Sequence, residues 1–435
     1  RRASETRRGL AATGPRPTQG KRNIKESMGP KKRKDDISLT KIILGICLIA
    51  VIAFGVHRAA RWFKEDYVGG ALEAAAPSEL ARAEEAFQAG NLDEARGILL
   101  PIVEKTRNDA ISPQALLLLA RVEERGGDSQ KCLAYLKRAA EEFPESPISA
   151  QAELAYARAL EKHGQADEAL AIFTALQENA APEVRAPALC GLARAAERAD
   201  DLEKARALCR EAVRDAAWNS PDWDEAAEAL GRLNIALIFS PKPTPESQVY
   251  TVERGDNLTN IGMKLNTTQG LLMRANALDK VTTLNVGDRI KFTPKDFRII
   301  IERSTCRLFL LDGDGLFKCY RVGLGKTGHE TTLGEYRIGN KQVDPTWFKP
   351  NAGPIPPGDP RNELGSRWMP LVPEREELPT DLGIHGTIAP ETIGEHSSSG
   401  CARMHNADVE ELYDLVVRST PVEIVETVDP RDLGL

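Results

Sequence analysis

The chain has 435 residues, with 28% charged and 41% apolar side chains and a formal net charge of −6. At about 100–200 residues per domain, that length implies two to four domains. The composition excludes a polytopic membrane protein, a collagen-like chain and a fully disordered one. The charge is unevenly spread: up to Lys41 there are thirteen Lys/Arg against four Asp/Glu, so a head of +9 precedes a body of −15. A basic head on an acidic body is a topology or nucleic-acid signal.

The head runs into Ile42–Val56, fifteen residues without a charge; extended back to Ile37, the segment holds twenty residues and one charge, Lys41. A span needs about 20 residues, and a lysine near a helix end can snorkel to the headgroups. Lys31–Lys34 precede the run, and Trp62, Phe63 and Tyr67 follow it, where interfacial aromatics belong. The expectation is a basic tail over 1–36, a transmembrane helix over 37–57 and a linker over 58–76. The positive-inside rule then puts the N-terminus in the cytoplasm and everything after Val56 outside. A cleaved signal peptide is the alternative, with a site in Ala71–Ala76, but the gap from the apolar run is long. Met28 opens MGPKKRKDD and reads as a natural start, with 1–27 as a wrongly assigned leader upstream of it. The basic cluster is assigned to topology, so no nucleic-acid partner is expected.

Residues 77–240 are rich in Ala, Leu, Glu and Arg with helical periodicity, and they repeat. Ala95, Cys132, Ala169 and Ala205 sit in matching contexts at intervals of 37, 37 and 36 residues. Twelve residues before each lies another alanine: Ala83, Ala120, Ala157 and Ala193. Small residues at two fixed points per repeat let paired helices approach closely and stack. Together with Gly90, Gly127, Gly164 and Pro144, this pattern resembles tetratricopeptide repeats, whose usual period is about 34. Four repeats and a last helix near Trp223–Ile238 are expected. The resemblance implies a concave surface for a protein partner; a spacer is the plainer reading.

Pro241–Ser247 is a Pro-rich linker. In the unit that follows, 248–294, the pattern reads strand, helix, helix, strand. Tyr250, Val252, Gly255, Asp256, Leu258, Ile261, Asn276, Leu278, Gly287 and Ile290 fall at the positions of the LysM domain, which this unit resembles. That resemblance implies binding to N-acetylglucosamine-containing glycan, peptidoglycan in bacteria, with Gly255, Asp256, Leu258 and Asn276 as glycan-binding candidates.

From Phe297 the pattern turns to strands: FRIIIE, CRLFLL and LFKCYRVG, with a turn at Asp312–Gly315. Prolines from Pro345 to Pro373 then read as a long ordered loop, a candidate lid, outside any central sheet. The strongest local signal is Ile384–Asn406. It offers one thiol, Cys401, with His385 sixteen residues upstream. A free thiol, with a pKa near 8.5, is only a few per cent thiolate at pH 7, and an adjacent imidazole can take its proton and leave a thiolate–imidazolium pair. Gly400 allows a tight turn that exposes the sulfur and aims backbone N–H groups at a developing oxyanion.

These residues resemble the YkuD-type L,D-transpeptidase catalytic domain over 296–427. His385-Gly386-Thr387 match one element of that family. Ser398, Gly400, Cys401, Arg403, Met404 and Asn406 match another, and Gly328–Thr331 and Pro357–Asn362 fit upstream. The resemblance implies Cys401 as nucleophile and His385 as base, with Gly386, Ser399 and Gly400 orienting the imidazole or forming the oxyanion hole. Arg403, Thr387, Ser398, Asn406 and Trp347 are implied as substrate-binding or loop-bracing. Ser399 stands where the family usually carries a histidine; His396, five residues before Cys401, either compensates or, as the favoured reading, is a loop residue that does not touch substrate. Zinc binding by His385, His396, Cys401 and His405 is disfavoured, because their spacings match no common zinc pattern. No metal or cofactor is expected.

The fold class read from the chain is therefore multidomain α + β: helical hairpin repeats forming a tetratricopeptide-like solenoid, a βααβ LysM module and a mainly-β catalytic domain. The implied function is a membrane-anchored peptidoglycan L,D-transpeptidase that forms 3-3 cross-links through a thioester. The same thioester resolved by water or by a protein amine gives an L,D-carboxypeptidase or a protein-anchoring enzyme. A peptidoglycan-binding scaffold with a silent last domain is the non-enzymatic alternative. Cys306 and Cys319 flank the first hairpin and pair directly if Asp312-Gly313 is its turn, which makes them a candidate disulfide.

Overall fold

The structure, a computed structural model, describes residues 52–58, 68–105, 108–279, 283–313, 315–349 and 353–435. The chain divides into two compact units, Arg1–Val68 and Gly69–Leu435.

In the first unit, residues 52–58 form a short helix with Ile52, Phe54 and Val56 exposed. Here the membrane expectation is corrected. Among the described residues no helix is long and apolar enough to cross a membrane. The helix over 52–58 has seven residues against the roughly 20 a span requires. The rest of the expected span, 37–51, and the basic tail over 1–36 lie outside the described residues. The single-pass anchor, and the localisation that rested on it, are not supported. Part of the expected linker is also helical, from Val68 onward.

The second unit opens with paired helices: α1 (Val68–Gln88), α2 (Leu92–Lys105), α3 (Ser112–Gly126), α4 (Ser129–Glu141), α5 (Ser149–Lys162), α6 (Ala166–Asn179), α7 (Pro182–Arg198), α8 (Leu202–Asp215) and α9 (Pro221–Phe239). The eight repeat-position residues, Ala83 to Ala205, are at most 2% exposed, so each marks a close helix contact. The turns have a local cause. Gly90, Gly127 and Gly164 take φ near +83°, which ends the first helix of a pair in the left-handed region. An aspartate then caps the second helix in two repeats: Asp128 accepts from Lys131 N at 3.0 Å and Asp201 from Lys204 N at 3.1 Å. The first helices are joined by ion pairs, Arg121–Glu84, Lys162–Glu124, Arg198–Glu161 and Arg232–Glu197. Exposed pairs contribute only about 0–1 kcal/mol each, so they set register more than stability.

A compact module follows: β1 (Gln248–Thr251), α10 (Leu258–Lys264), α11 (Gln269–Ala275) and β2 (Arg289–Phe292), with β1 antiparallel to β2 over a core of Val252, Leu258, Ile261, Leu272 and Ile290. It is held from both sides. Lys291 Nζ donates to Ser240 O at 2.5 Å at the end of α9. Arg274 pairs with Asp414 at 3.2 Å, and Thr268 Oγ1 donates to Asp414 O.

The last region is built on a nine-stranded sheet: β3 (Phe297–Glu302), β4 (Arg307–Asp312), β5 (Gly315–Arg321), β7 (Gly334–Ile338), β8 (Gln342–Val343), β11 (Arg367–Pro373), β12 (Gly383–His385), β14 (Ala402–Arg403) and β15 (Pro421–Val425). Its order is β14-β12-β11-β7-β15-β3-β4-β5, with β8 beside β11. Two smaller pairs stand apart: β6 (Leu324–Gly325) with β13 (His396–Ser398), and β9 (Trp347–Lys349) with β10 (Gly353–Ile355). Helix α12 (Asn406–Leu415) packs Val409, Leu412 and Leu415 into the core.

The repeats and the sheet share a core. Ile300, Phe309, Leu311 and Leu316 cluster with Trp223, Leu230 and Leu233 of α9, and Leu433 at the C-terminus joins them. Strand β5 is an edge, and α9 covers it: Asn234 Nδ2 donates to Phe317 O at 2.8 Å in a buried site, which blunts an otherwise open edge. A side chain on Gly231 would strike the Lys318 stem at 2.7 Å, so glycine there permits the approach.

Two strand expectations are corrected. Pro370 and Pro373 lie in β11, inside the sheet. Pro370 falls where β11 passes from pairing with β8, at 367–368, to pairing with β7, at 371–373, so its missing N–H breaks no ladder bond there. The first hairpin turns one residue later than expected and carries a bulge at Leu310/Leu311. Phe309, not Cys306, therefore faces Cys319, and both cysteines are free thiols.

Candidate active site

Strands β12 and β14 run parallel, with Ile384 opposite Ala402 and His385 opposite Arg403. Extending that register by one residue sets Cys401 opposite Gly383, on the same face as His385. Met404 N donates to His385 O at 2.8 Å and locks the register. Cys401 and His385 line one cavity of about 540 Å³ with Trp347, Phe348, Glu363, Leu364, Trp368, Asp381, Ser397, Ser398, Ser399 and Arg403.

The turn into Cys401 is stitched by Ser398. Its Oγ donates to Cys401 O at 2.7 Å and accepts from Gly400 N at 3.1 Å. Gly400 takes φ +121°, and a Cβ there would press on Leu382 at 3.4 Å. With its N–H used by Ser398, Gly400 shapes the turn and is not an oxyanion donor. Ser399 is exposed at the cavity. Cys401 Sγ points its proton toward Asp381 O at 3.7 Å.

His385 is 5% exposed, with Nδ1 2.7 Å from Gly386 O. A carbonyl only accepts, so Nδ1 carries the proton and Nε2 holds the lone pair. The Trp368 ring lies 5.7 Å from the imidazole. Asn406 secures this segment from the first turn of α12: its Oδ1 accepts from Thr387 N at 3.1 Å and Ser366 N at 3.3 Å, and its Nδ2 donates to Thr387 O at 2.9 Å. Thr387 is buried, its hydroxyl accepting from Ala389 N at 3.0 Å. Asn406 and Thr387 therefore brace.

Arg403 does two things. Its backbone exchanges two 2.8 Å bonds with Gly323 and its Nη2 donates to Ser397 Oγ, while its guanidinium borders the cavity with no carboxylate partner among the described residues. His396 does not line the cavity. It faces away, with Nε2 3.5 Å from Cys306 Sγ and Nδ1 3.2 Å from Gly325 O, so it does not replace the histidine absent at Ser399.

Burial sets the electrostatics. It pushes the Cys401 thiol up to about 11, helped by the Asp381 charge and opposed by the Gly383 N–H. It pulls the His385 imidazole down to about 4, opposed by the Gly386 carbonyl and assisted by Arg403. The resting site is therefore a neutral thiol and a neutral imidazole lining one cavity, not the thiolate–imidazolium pair expected from the residue types alone.

The glycan candidates in the small module are mostly internal. Leu258 is in its core. Asn276 uses its whole amide to hold Leu272 O and the backbone of Lys291. Asp256 is enclosed by Lys264 at 2.8 Å and the Tyr250 hydroxyl at 2.7 Å. Gly255, at φ +88°, shapes the loop between β1 and α10.

Glu363 and Asp381, which line the cavity, were not singled out by sequence. The one signal for Asp381 is its place two residues before β12, the strand that ends in His385.

Residues 296–424 match the family model described as the L,D-transpeptidase catalytic domain, residues 250–293 the LysM domain, and residues 80–147 and 154–221 a tetratricopeptide repeat. The chain is similar to YkuD of Bacillus licheniformis, 33% identical over 182 residues that cover 40% of this chain and 98% of the relative. It is similar to YqjB of Bacillus subtilis, 34% identical over 136 residues, 31% of this chain and 73% of the relative. Both carry L,D-transpeptidase in their names. The solved catalytic domain of an E. faecium L,D-transpeptidase is 22% identical, covering 30% of this chain and 98% of that one, with a TM-score of 0.24.

Proposed function

The chain belongs to the L,D-transpeptidase family, and from that premise we propose that Cys401 and His385 carry out acyl transfer on peptidoglycan stem peptides. The observation that carries this reading is the cavity that a single thiol, Cys401, shares with a histidine whose Nδ1 is fixed by the Gly386 carbonyl.

In the acylation step His385 Nε2 accepts the thiol proton as Sγ attacks the carbonyl between an L-centre and a terminal D-residue. The proton transfer accompanies attack, because burial disfavours a standing ion pair. The carbonyl oxygen gains charge and takes a hydrogen bond from the Cys401 N–H. The C–N bond then breaks, His385 gives its proton to the leaving amine, and D-Ala departs from a thioester. A side-chain amine of a second stem attacks the thioester, one nitrogen proton passes through His385 to the sulfur, and a 3-3 cross-link forms. Arg403 supplies a cation for a stem carboxylate while it braces β13.

The LysM module binds the glycan of the same polymer and raises the local concentration of stems. The helical repeats, fused to the sheet through their shared core, offer a surface for a protein partner on their other helices.

The test is incubation of the full chain with diaminopimelate tetrapeptide muropeptides, read by mass spectrometry. Cross-linked dimer with D-Ala supports transpeptidation, D-Ala with tripeptide alone supports hydrolysis, and no Cys401-dependent product overturns the reading.

A further inference from the structure

The cavity carries two carboxylates, Glu363 and Asp381, and one guanidinium, Arg403. Glu363 has a partner of its own. Asp381 is exposed, and among the described residues its carboxylate has no hydrogen-bond or ion-pair partner. Its backbone is fixed beside the nucleophile, since Asp381 O accepts from Cys401 Sγ at 3.7 Å. The residue is therefore held beside the sulfur by its own main chain, in the lining of the cavity that Cys401 and His385 share.

That charge opposes the first half of the reaction. It works against ionisation of the thiol, in the same direction as burial. A negative group beside a nucleophile that must become negative needs a different justification, and the second half of the reaction supplies one. The thioester has no charge to repel. The incoming acceptor is a primary amine, with a pKa near 10 like a lysine side chain, and it arrives as an ammonium. A carboxylate in a partly enclosed cleft concentrates a cation and gives neutral water no advantage.

We propose that Asp381 is the acceptor-selecting residue, holding the ammonium of the second stem beside the Cys401 thioester so that amine transfer outcompetes hydrolysis. The inference rests on the acyl-transfer reading above. The ammonium loses one proton to solvent. The free amine attacks the thioester carbon, the C–S bond breaks, and the second nitrogen proton passes through His385 Nε2 to the sulfur. The products are an amide, a neutral thiol and one proton in solution. Asp381 binds and places the acceptor, and no proton has to rest on it.

The experiment uses the full chain, wild type and the variants D381N and D381E, with a tetrapeptide muropeptide as donor and a tripeptide muropeptide as acceptor. The readouts are the ratio of cross-linked dimer to hydrolysed tripeptide, the KM for acceptor and total D-Ala released. In D381N the ratio falls about fivefold, the size of one solvent-screened charge pair, and the acceptor KM rises. D-Ala release holds or increases, because the thiol loses an opposing charge. D381E keeps the wild-type ratio. Added salt lowers the ratio in wild type and has no such effect in D381N. An unchanged ratio in D381N, a salt response that survives the substitution, or an equal loss in D381E overturns the proposal. If wild type cross-links and D381N matches it, only this proposal fails. If wild type releases no D-Ala, the acyl-transfer reading fails and this one with it.

Discussion

His385 holds its Nδ1 2.7 Å from the carbonyl oxygen of Gly386, its own chain neighbour. The bond fixes the imidazole tautomer without a carboxylate. An Asp in that place would stabilise an imidazolium strongly, whereas a neutral carbonyl does so weakly. The base is built to hold a proton briefly, which agrees with the downward shift imposed by its burial.

The pH dependence follows from these shifts. His385 titrates near 4 in the folded protein and near 6.5 when unfolded, so the unfolded chain binds the extra proton first as pH falls. The stability held by the neutral ring is present above about 6.5 and is lost between about 6.5 and 4. Cys401, shifted up to about 11, stays neutral through the physiological range. Single-turnover acylation of the full chain should thus be flat from about pH 5 to 9 and decline toward pH 4. A titration with a midpoint between 6 and 8 would mean a thiolate–imidazolium pair instead.

Asn406 carries the brace that keeps the Gly386–Thr387 segment in place. Asn406→Ala should cost about 2 kcal/mol of stability by leaving buried backbone groups unpaired. It should also lower kcat about 100-fold by misplacing the base, with the acceptor KM nearly unchanged. Asn406→Asp keeps the two bonds accepted from Ser366 and Thr387 and loses the one donated to Thr387 O, so it should fall between. Denaturant titration and single-turnover kinetics separate the two effects.

Ser398 should tolerate threonine but not alanine. Threonine retains the hydroxyl that links Gly400 N to Cys401 O. Alanine removes both bonds and frees the Gly400 N–H, so acylation should slow about tenfold or more while thermal stability changes by roughly 1 kcal/mol. Equal rates for the two variants would mean that the turn holds without the hydroxyl.

Phe309 lies in the core shared by the repeats and the sheet and is fully buried. Phe309→Ala should destabilise by about 3–5 kcal/mol. Because the cavity it leaves borders both α9 and β4, the helical and sheet signals should shift together in one transition. A variant that melts the sheet and leaves the repeats at their original midpoint would show that the two do not unfold as a unit.

The sequence made some of this legible and concealed the rest for physical reasons. Repeat-position alanines such as Ala120 and Ala157 were readable because close helix packing demands small residues at a fixed interval. The Cys401 and His385 segments were readable because their chemistry is local to short motifs. The fusion of repeats to sheet was not, since Phe309 and Trp223 are distant in sequence and look like ordinary core residues. Pro370 misled because a proline is excluded from a strand only where its N–H is needed, and which N–H is needed depends on strand partners. Asp381 was hidden for a similar reason: one aspartate in a loop acquires meaning only when Cys401 is brought beside it. The N-terminal apolar run misled in the other direction, because hydropathy alone suggested a span that no described helix provides.

Intact-mass spectrometry of the full chain, quenched early after mixing with a tetrapeptide muropeptide, tests the central claim most directly. The account predicts an adduct with the mass of the donor minus D-Ala, mapped to Cys401, sensitive to hydroxylamine and absent from Cys401→Ala. An unmodified chain at every time point, or product formation that continues undiminished in Cys401→Ala, would contradict it.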